Sequence, residues 1–580
     1  MKSWWCDLGN VAILTCVTIA LYAQVGSFDY VNWDDPDYTT KAELVQAGFS
    51  ATTLQKSITG YYCSNWHPLT WWSLMLDRQW FGDSPAAYHL VNVAWHVLAT
   101  VLAYAGFVAM TGSRWPSFLV AWLFAVHPLH VESVAWIAER KDVLCGAFWF
   151  ASLWAYAEYC RRGSWQRYGL TLLLLLLSHL AKPMAVTLPC VFVLLDIWPL
   201  RRKSQAHLDD ANAANPFFSK FSWPGIVAEK VPFFAVSALT AFMTFQAQKT
   251  GGAMADTESF SLSARVINSV ASYGKYLQQT VWPSHLACFY PLPPESGRET
   301  VVAATAAALL VISIWALVLY RRQPNLLIGW LWYLGSLVPV IGLVQVGAQA
   351  HADRYTYLPL VGVFVMAAWS VEAITRARWR AVARVGLLAA GGVLAIVAHQ
   401  QIGVWRNSET LYRHALAVTT DNLVATMNLG QHYQQRAQQA PDAATHRDLL
   451  NAALEHQIEA VRIAPGNGIA HANLASIFLE HGRLEEAMAA ADAALRLGFE
   501  RGKIVGLQAL ALARSGRLQQ SLPLFVEAVQ LNPRDPVLAF NWSIALLKTG
   551  QKHQARQVLQ QIVDDYPDFA PARNRLQDLR

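Results

Sequence analysis

From about residue 10 to about residue 402 the chain carries one apolar run after another, each near the 20 residues a helix needs to cross a hydrocarbon core. Nothing else in the sequence narrows the choice of fold as much. Backbone polar groups find no water in lipid, so a spanning chain is helical or a closed barrel, and continuous apolar runs without alternation select helices. The first run, NVAILTCVTIALYAQVG at 10–26, lacks a small-x-small cleavage site and is followed by many more, which makes it a retained anchor. The others centre near 99, 122, 150, 173, 191, 239, 310, 335, 364 and 391, so about eleven spans are expected. Only 14% of the chain is charged, against about 25% in an ordinary soluble domain. Beyond the last run the sequence turns polar and alanine-rich, which predicts a membrane domain over 1–402 and a soluble one over 403–580.

The net charge of +6 sits in small clusters beside the apolar runs, a pattern of membrane topology and not of nucleic-acid binding. With the N-terminus cytoplasmic, Arg114, Arg161 with Arg162, Arg201 with Arg202, Arg321 with Arg322, and the group from Arg376 to Arg384 all fall on the cytoplasmic side. In an inner (plasma) membrane, that orientation exports 27–88, 127–142, 248–299, 347–355 and the soluble tail to the periplasmic face. The seven Cys form no CxxC pair and no zinc spacing, and a disulfide between the loop residues Cys63 and Cys288 is not expected.

The tail repeats. Pro465, Phe499, Pro533 and Pro567 are spaced by 34, as are Gly482, Gly516 and Gly550, and 34 is the period of the tetratricopeptide repeat. Small residues such as Ala475, Ala487, Ala509, Ala528 and Ala555 stand where helices must approach, with Phe478, Phe525, Trp542 and Leu546 filling between. An earlier unit opening at MNLGQHY carries an insertion near 436–448, giving about four units and a polar closing helix near 569–580.

Candidate chemistry gathers on the exported side. Carboxylates beside an anchored helix end are costly to desolvate without partners, so Asp29, Asp34, Asp35 and Asp37 in FDYVNWDDPDYT mark a candidate site. The plain alternative is a solvated acidic loop whose aspartates cap helices or bind a structural cation. In HPLHVESVAWIAERKDVL at 127–144, His127 and His130 match no standard zinc spacing, while Arg140 and Lys141 stand against the positive-inside trend. With Lys182 in HLAKPMAVTLP and Arg354 in AHADRYTYLPL they are suited to phosphate, although any one of them alone can snorkel to lipid headgroups. A leaving phosphate needs cations, and a hydroxyl nucleophile needs a carboxylate base.

The order of NWDDPDY, NWHPLTWWSLMLDRQWFG, YHLVNVAWH, HPLHVESVAWIAERKDVL, AKPMAVTLP, YLQQTVWPSHLACFYPLPP and ADRYTYLP, ahead of tetratricopeptide repeats, resembles the transmembrane and tetratricopeptide-repeat-containing O-mannosyltransferase family and its bacterial relatives. The resemblance implies an all-α chain: a polytopic membrane domain of glycosyltransferase C type with about eleven helices, followed by an α-solenoid. It also implies an inverting enzyme that moves mannose or another hexose from a polyprenyl-phosphate donor to Ser or Thr hydroxyls of an exported protein held by the repeats, a divalent cation being left open. By resemblance Asp34 is the base and Asp35 its neighbour or understudy; in the mechanism expected from these residues Arg140, Lys141, Lys182 and Arg354 hold the donor phosphate, and His67, His130 and Glu132 position donor or acceptor. The chain departs from animal members in reading ERKD where they read like GRAD, in Pro183 after Lys182 where they read KE, and in HPLT around His67 in place of an Arg-containing version. A glycan or lipid acceptor is the near alternative, and a non-enzymatic membrane-anchored scaffold for envelope complexes the distant one.

Overall fold

The computed structural model describes residues 2–202, 223–251, 261–293, 297–343 and 347–579, so 252–260 and 294–296 of the expected exported stretch lie outside the described residues. The described residues form helices and turns, with isolated bridges at Tyr62 with Asn65 and at Pro291 with Gln349. They make two compact units, Met1–Thr419 and Thr420–Arg580. The division falls after the expected 402/403 because the helix Ser408–Val418 packs on the first unit: Ser408 accepts from the Asn32 N–H, and the Tyr412 ring lies 6.4 Å from that of Trp33.

A helix stands at each of the eleven apolar runs: Lys2–Tyr22, Pro85–Thr111, Arg114–Val126, Arg140–Arg162, Trp165–Ala181, Leu188–Ile197, Val231–Thr250, Glu299–Leu319, Pro324–Leu337, Leu360–Glu372 and Ala377–Val404. Five described segments are long and apolar enough to cross a bilayer, Trp5–Ser27, Pro85–Thr111, Gly225–Thr250, Glu299–Leu319 and Ala377–Val404. A sixth is the pair Arg114–Val126 and Pro128–Ala135, bent by 57°. Eleven full spans therefore do not follow from eleven helices. Prolines break several runs, Pro128 and Pro183 each opening a 3-10 turn, and a 13-residue helix such as Leu360–Glu372 reaches only about 20 Å of a core roughly 30 Å thick.

Where helices cross, they do so closely. A Cβ on Gly329 would come within 2.4 Å of the Gly362 carbonyl oxygen, and one on Gly362 within 2.2 Å of that of Gly329, so Pro324–Leu337 and Leu360–Glu372 meet backbone to backbone. Arg202, one of the basic residues expected on the cytoplasmic side, is buried: its guanidinium pairs with Glu229, and Lys230 Nζ sits 2.8 Å from Asp196.

The second unit is a solenoid of four helix pairs, Leu423–Gln438 with Ala443–Ile463, Gly468–Glu480 with Leu484–Arg496, Arg501–Arg514 with Leu518–Leu531, and Pro536–Lys548 with Lys552–Asp565, closed by Ala570–Gln577. The 34-residue glycines sit between the members of a pair at φ 74°, 81° and 84° for Gly482, Gly516 and Gly550, the left-handed conformation that ends a helix cheaply only at glycine. The expected small residues are buried, from Ala475 to Ala555, around Phe525 and Leu546. Trp542 is only partly buried against that core. The insertion near 436–448 becomes the turn and first helical residues of a longer partner helix, Ala443–Ile463 at 21 residues, whose N-cap Asp442 accepts from the Ala444 and Thr445 N–H groups.

The glycine crossing predicts that Gly362→Leu lowers the thermal unfolding midpoint of the detergent-solubilised protein by several degrees, since overpacking costs about 1–3 kcal/mol. Gly335→Leu, with nothing within 4 Å of its added Cβ, changes it little. Equal midpoints for the two variants in a thermal melt would refute the close crossing.

Candidate active site

The short helix Asp35–Tyr38 begins at Asp34, and the two adjacent carboxylates have opposite surroundings. Asp35 is fully buried and both of its oxygens are engaged, one accepting from the Val31 N–H at 2.9 Å and the other from the Ala138 N–H at 3.0 Å. It thereby fastens the 28–39 turn to the 3-10 turn Ile137–Glu139. Burial pushes the Asp35 carboxyl up to about 7, against the pull of those two amides. Asp34 makes no side-chain cap hydrogen bond, has no ion-pair partner among the described residues, and lines a cavity. Burial raises its carboxyl above the ordinary range, partly offset by Lys141 and Arg354.

That cavity, about 880 Å³, is lined by polar and apolar side chains together. The polar ones include Asp34, Asp37, Ser64, Asn65, His67, Glu139, Lys141, Lys182, Thr244, Gln248, Gln349 and Arg354; the apolar ones include Met184, Val186, Ala241, Phe245, Pro339 and Val340. Three cations converge on Glu139: Lys141 Nζ at 3.2 Å, Lys182 Nζ at 3.0 Å and Arg354 Nε at 3.4 Å. Burial alone would raise the Glu139 carboxyl, but Lys141, Lys182 and Arg354 outweigh it and hold it well below the usual carboxylate range. Lys182 also pairs with Asp142 at 2.6 Å, and Arg354 with Glu132 at 2.5 Å. Aromatic faces seat two of the cations: Lys141 lies 4.8 Å over Tyr38, and Arg354 5.5 Å over Trp136 and 5.1 Å over Tyr355. Each lysine ammonium has three N–H donors and gives two to these partners and the Ala138 carbonyl, leaving one to offer a ligand.

The structure brings Asp34, Asp37, His67, Lys141, Lys182 and Arg354 together at the cavity and leaves Asp35, Arg140, His130 and Glu132 off its surface. Asp35 is spent on backbone amides. Arg140 is fully buried one turn away, donating to Asn92, to Ser73 at 2.7 Å and to the Tyr88 carbonyl at 2.9 Å, and paired with Asp77 at 2.7 Å. It ties the helices Pro68–Phe81, Pro85–Thr111 and Arg140–Arg162 and presents nothing to a phosphate in the cavity. His130 is also fully buried, its Nδ1 2.8 Å from the Phe124 carbonyl oxygen and its ring packed on Phe124 and Tyr357. Glu132 acts at one remove, holding Arg354 through both the guanidinium and the backbone N–H. Among the described residues no group of three or more His, Cys, Asp or Glu converges as metal ligands, and Cys63 and Cys288 are both free thiols.

The tetratricopeptide repeat family matches residues 512–578. Protein O-mannosyl-transferase Tmtc1 of Drosophila melanogaster is 29% identical over 216 residues, 36% of this chain and 25% of that protein. Protein O-mannosyl-transferase TMTC2 of Mus musculus is 34% identical over 204 residues, 33% of this chain and 24% of that protein. TMTC4 of the same organism is 26% identical over 417 residues, 62% and 54% of the two chains. The chain is a relative of these protein O-mannosyl-transferases. It spans about a quarter to a half of their length. Among solved structures, a tetratricopeptide-repeat protein described as having an unusual peptide-binding site is 19% identical over 28% of this chain and 77% of its own, with a TM-score of 0.23.

Sequence reasoning passed over Glu139 as a site residue. It was visible only as an extra charge in ERKD, and its place at the centre of three cations depends on Lys182 and Arg354 arriving from 43 and 215 positions away. The separate roles of Arg140 and Lys141 give a prediction. Arg140→Met leaves Asp77 buried without a counter-charge and lowers stability by about 3–5 kcal/mol, whereas Lys141→Met, at a cavity wall, costs under about 1 kcal/mol. Thermal or denaturant unfolding of the two solubilised variants compares them directly; a milder effect from Arg140→Met would contradict its structural role.

Proposed function

We propose that this protein is a membrane glycosyltransferase that moves a hexose, mannose by analogy with the named relatives, from a polyprenyl-phosphate donor to Ser or Thr hydroxyls of exported proteins. The observation that carries the reading is one unpaired carboxylate, Asp34, facing the same cavity as Lys141, Lys182 and Arg354. A cavity lined both by cations and by apolar side chains suits an amphiphile with a phosphate head and a hydrocarbon tail.

In the proposed reaction the acceptor hydroxyl gives its proton to an Asp34 oxygen as the hydroxyl oxygen bonds to the anomeric carbon. The bond from that carbon to the lipid phosphate breaks, and the phosphate leaves with the electron pair. The spare donors of Lys141, Lys182 and Arg354 take up its charge. A single displacement of this kind inverts the anomeric centre. Glu139 keeps the three like charges close together and oriented before any donor arrives, so little reorganisation is needed as charge develops. The reading places the cavity and the repeats on the exported side of the membrane, with the solenoid offering its surface to an extended acceptor.

Intact-glycopeptide mass spectrometry of the exported proteome tests it, comparing cells with the native gene, a deletion and Asp34→Asn at matched expression. A hexose on Ser or Thr disappears in both altered strains; glycopeptides unchanged in all three would remove the protein acceptor. In vitro, Asp34→Asn lowers turnover by about 10²–10⁴-fold, the usual contribution of a general base. The sign of the pH dependence follows from the raised Asp34 carboxyl. The base works only when ionised, so activity falls on acidification at a pH above the roughly 3.9 of an ordinary aspartate. A pH–rate profile whose acid limb lies at or below that value would contradict Asp34 as the base.

A further inference from the structure

His67 lines the cavity with its hydrogen-bonding capacity unmet. It is 1% exposed, yet among the described residues neither Nδ1 nor Nε2 has a partner. The ring packs near-parallel against both Tyr38 and Trp71, with centroids at 5.7 and 5.3 Å and interplanar angles of 17° and 27°, and those two rings stack on each other at 5.0 Å, so the three aromatics hold its orientation. Burying such nitrogens unmet costs on the order of 1–3 kcal/mol per group, which a folded site retains when a ligand repays it. The Trp136 indole N–H, also on the cavity wall, is likewise unmet.

The identity of the unmet groups restricts the ligand. Burial, assisted by Lys141, lowers the imidazole to about 3, so the ring is neutral and has one N–H donor and one lone-pair acceptor. A phosphate or carboxylate only accepts and an alkyl chain does neither. Hydroxyl groups do both, and a sugar ring brings several at fixed positions. The neighbouring wall is polar and held rigidly. In the turn Tyr62–Asn65, Cys63 and Ser64 take φ of 50° and 56°, a left-handed conformation unusual for two successive non-glycine residues. Backbone bonds of 3.2 and 3.0 Å between Tyr62 and Asn65 close the turn, and Cys63, Ser64 and Asn65 all line the cavity. Tyr38 joins this wall to the cations, with His67 stacked on its ring and Lys141 Nζ 4.8 Å from its centroid.

We infer that His67 reads the glycosyl group of the donor, its two ring nitrogens bonding sugar hydroxyls while the cations beyond Tyr38 hold the phosphate. This rests on the glycosyl-transfer reading above and assigns that site its sugar-recognition residue. His67 is then a specificity-determining residue that touches substrate and takes no part in the proton transfer.

The test uses the full-length protein in detergent or nanodiscs, with polyprenyl-phosphate mannose and its 2-, 3-, 4- and 6-deoxy forms as donors and a Ser/Thr peptide as acceptor. His67→Phe keeps a ring packed against Tyr38 and Trp71 and removes both nitrogens; His67→Gln restores one donor and one acceptor. With the native protein, at least one deoxy donor reacts about 10- to 100-fold more slowly, the range for a lost buried hydrogen bond. In His67→Phe the parent donor falls by a similar factor and the penalty for that deoxy donor shrinks to under about threefold, because the lost partners are the same pair. His67→Gln recovers part of the rate. A deoxy penalty of unchanged size in His67→Phe overturns the inference and leaves glycosyl transfer standing; should that variant fail to fold, the same unchanged penalty in His67→Gln overturns it. No transfer by the native protein from any lipid-phosphate sugar overturns the functional reading and the inference together.

Discussion

The cavity depends on the burial of one carboxylate. Asp35 accepts an N–H from its own turn and another from Ala138, 103 positions along the chain, and so fixes the segment that carries Asp34 against the segment that carries Glu139 and Lys141. Buried hydrogen bonds of this kind are worth about 0.5–1.5 kcal/mol each, and losing them strands two buried amides as well. The clamp explains why two aspartates stand side by side. One is consumed in building the wall, which leaves the other exposed to the cavity without a partner.

The same economy governs the charges. Arg140 and Lys141 are neighbours in sequence, but the first turn of their helix points them in different directions, one into a buried pair with Asp77 and the other onto the face of Tyr38. Lys141, Lys182 and Arg354 would repel one another at such close quarters. Glu139 makes the assembly stable by standing within 3.4 Å of all three, with Asp142 and Glu132 supporting it from behind. The result is a set of cations held in place in advance, each with donors to spare, beside a carboxylate made more basic by burial.

Around this centre the helices are a scaffold of uneven length. Several apolar helices stop short of a bilayer's thickness because prolines interrupt them, and those interruptions supply the turns at 127–139 and 182–187 that carry Glu139 and Lys182 to the cavity. The loss of spanning length and the gain of a polar site are one event. Where the short helices cross, glycines at 329 and 362 bring backbones into contact and replace the missing length with close packing.

The sequence alone determined what local chemistry decides. Apolar runs became helices at all eleven positions, and the 34-residue spacing became a solenoid whose turning points are glycines with positive φ. The residue types of the site, a carboxylate near several basic groups, were legible too, because few arrangements beside apolar runs explain them. What only the tertiary structure decided was which member of each pair lines the cavity: Asp34 and not Asp35, Lys141 and not Arg140, His67 and not His130. Each choice turns on partners brought from afar, such as the Ala138 amide for Asp35, Asp77 for Arg140 and the Tyr357 ring against His130. Glu139 took its central role for the same reason. A side chain's charge and shape are written in sequence, but its free valences are what remain after packing has used the rest, and packing is a property of the whole fold.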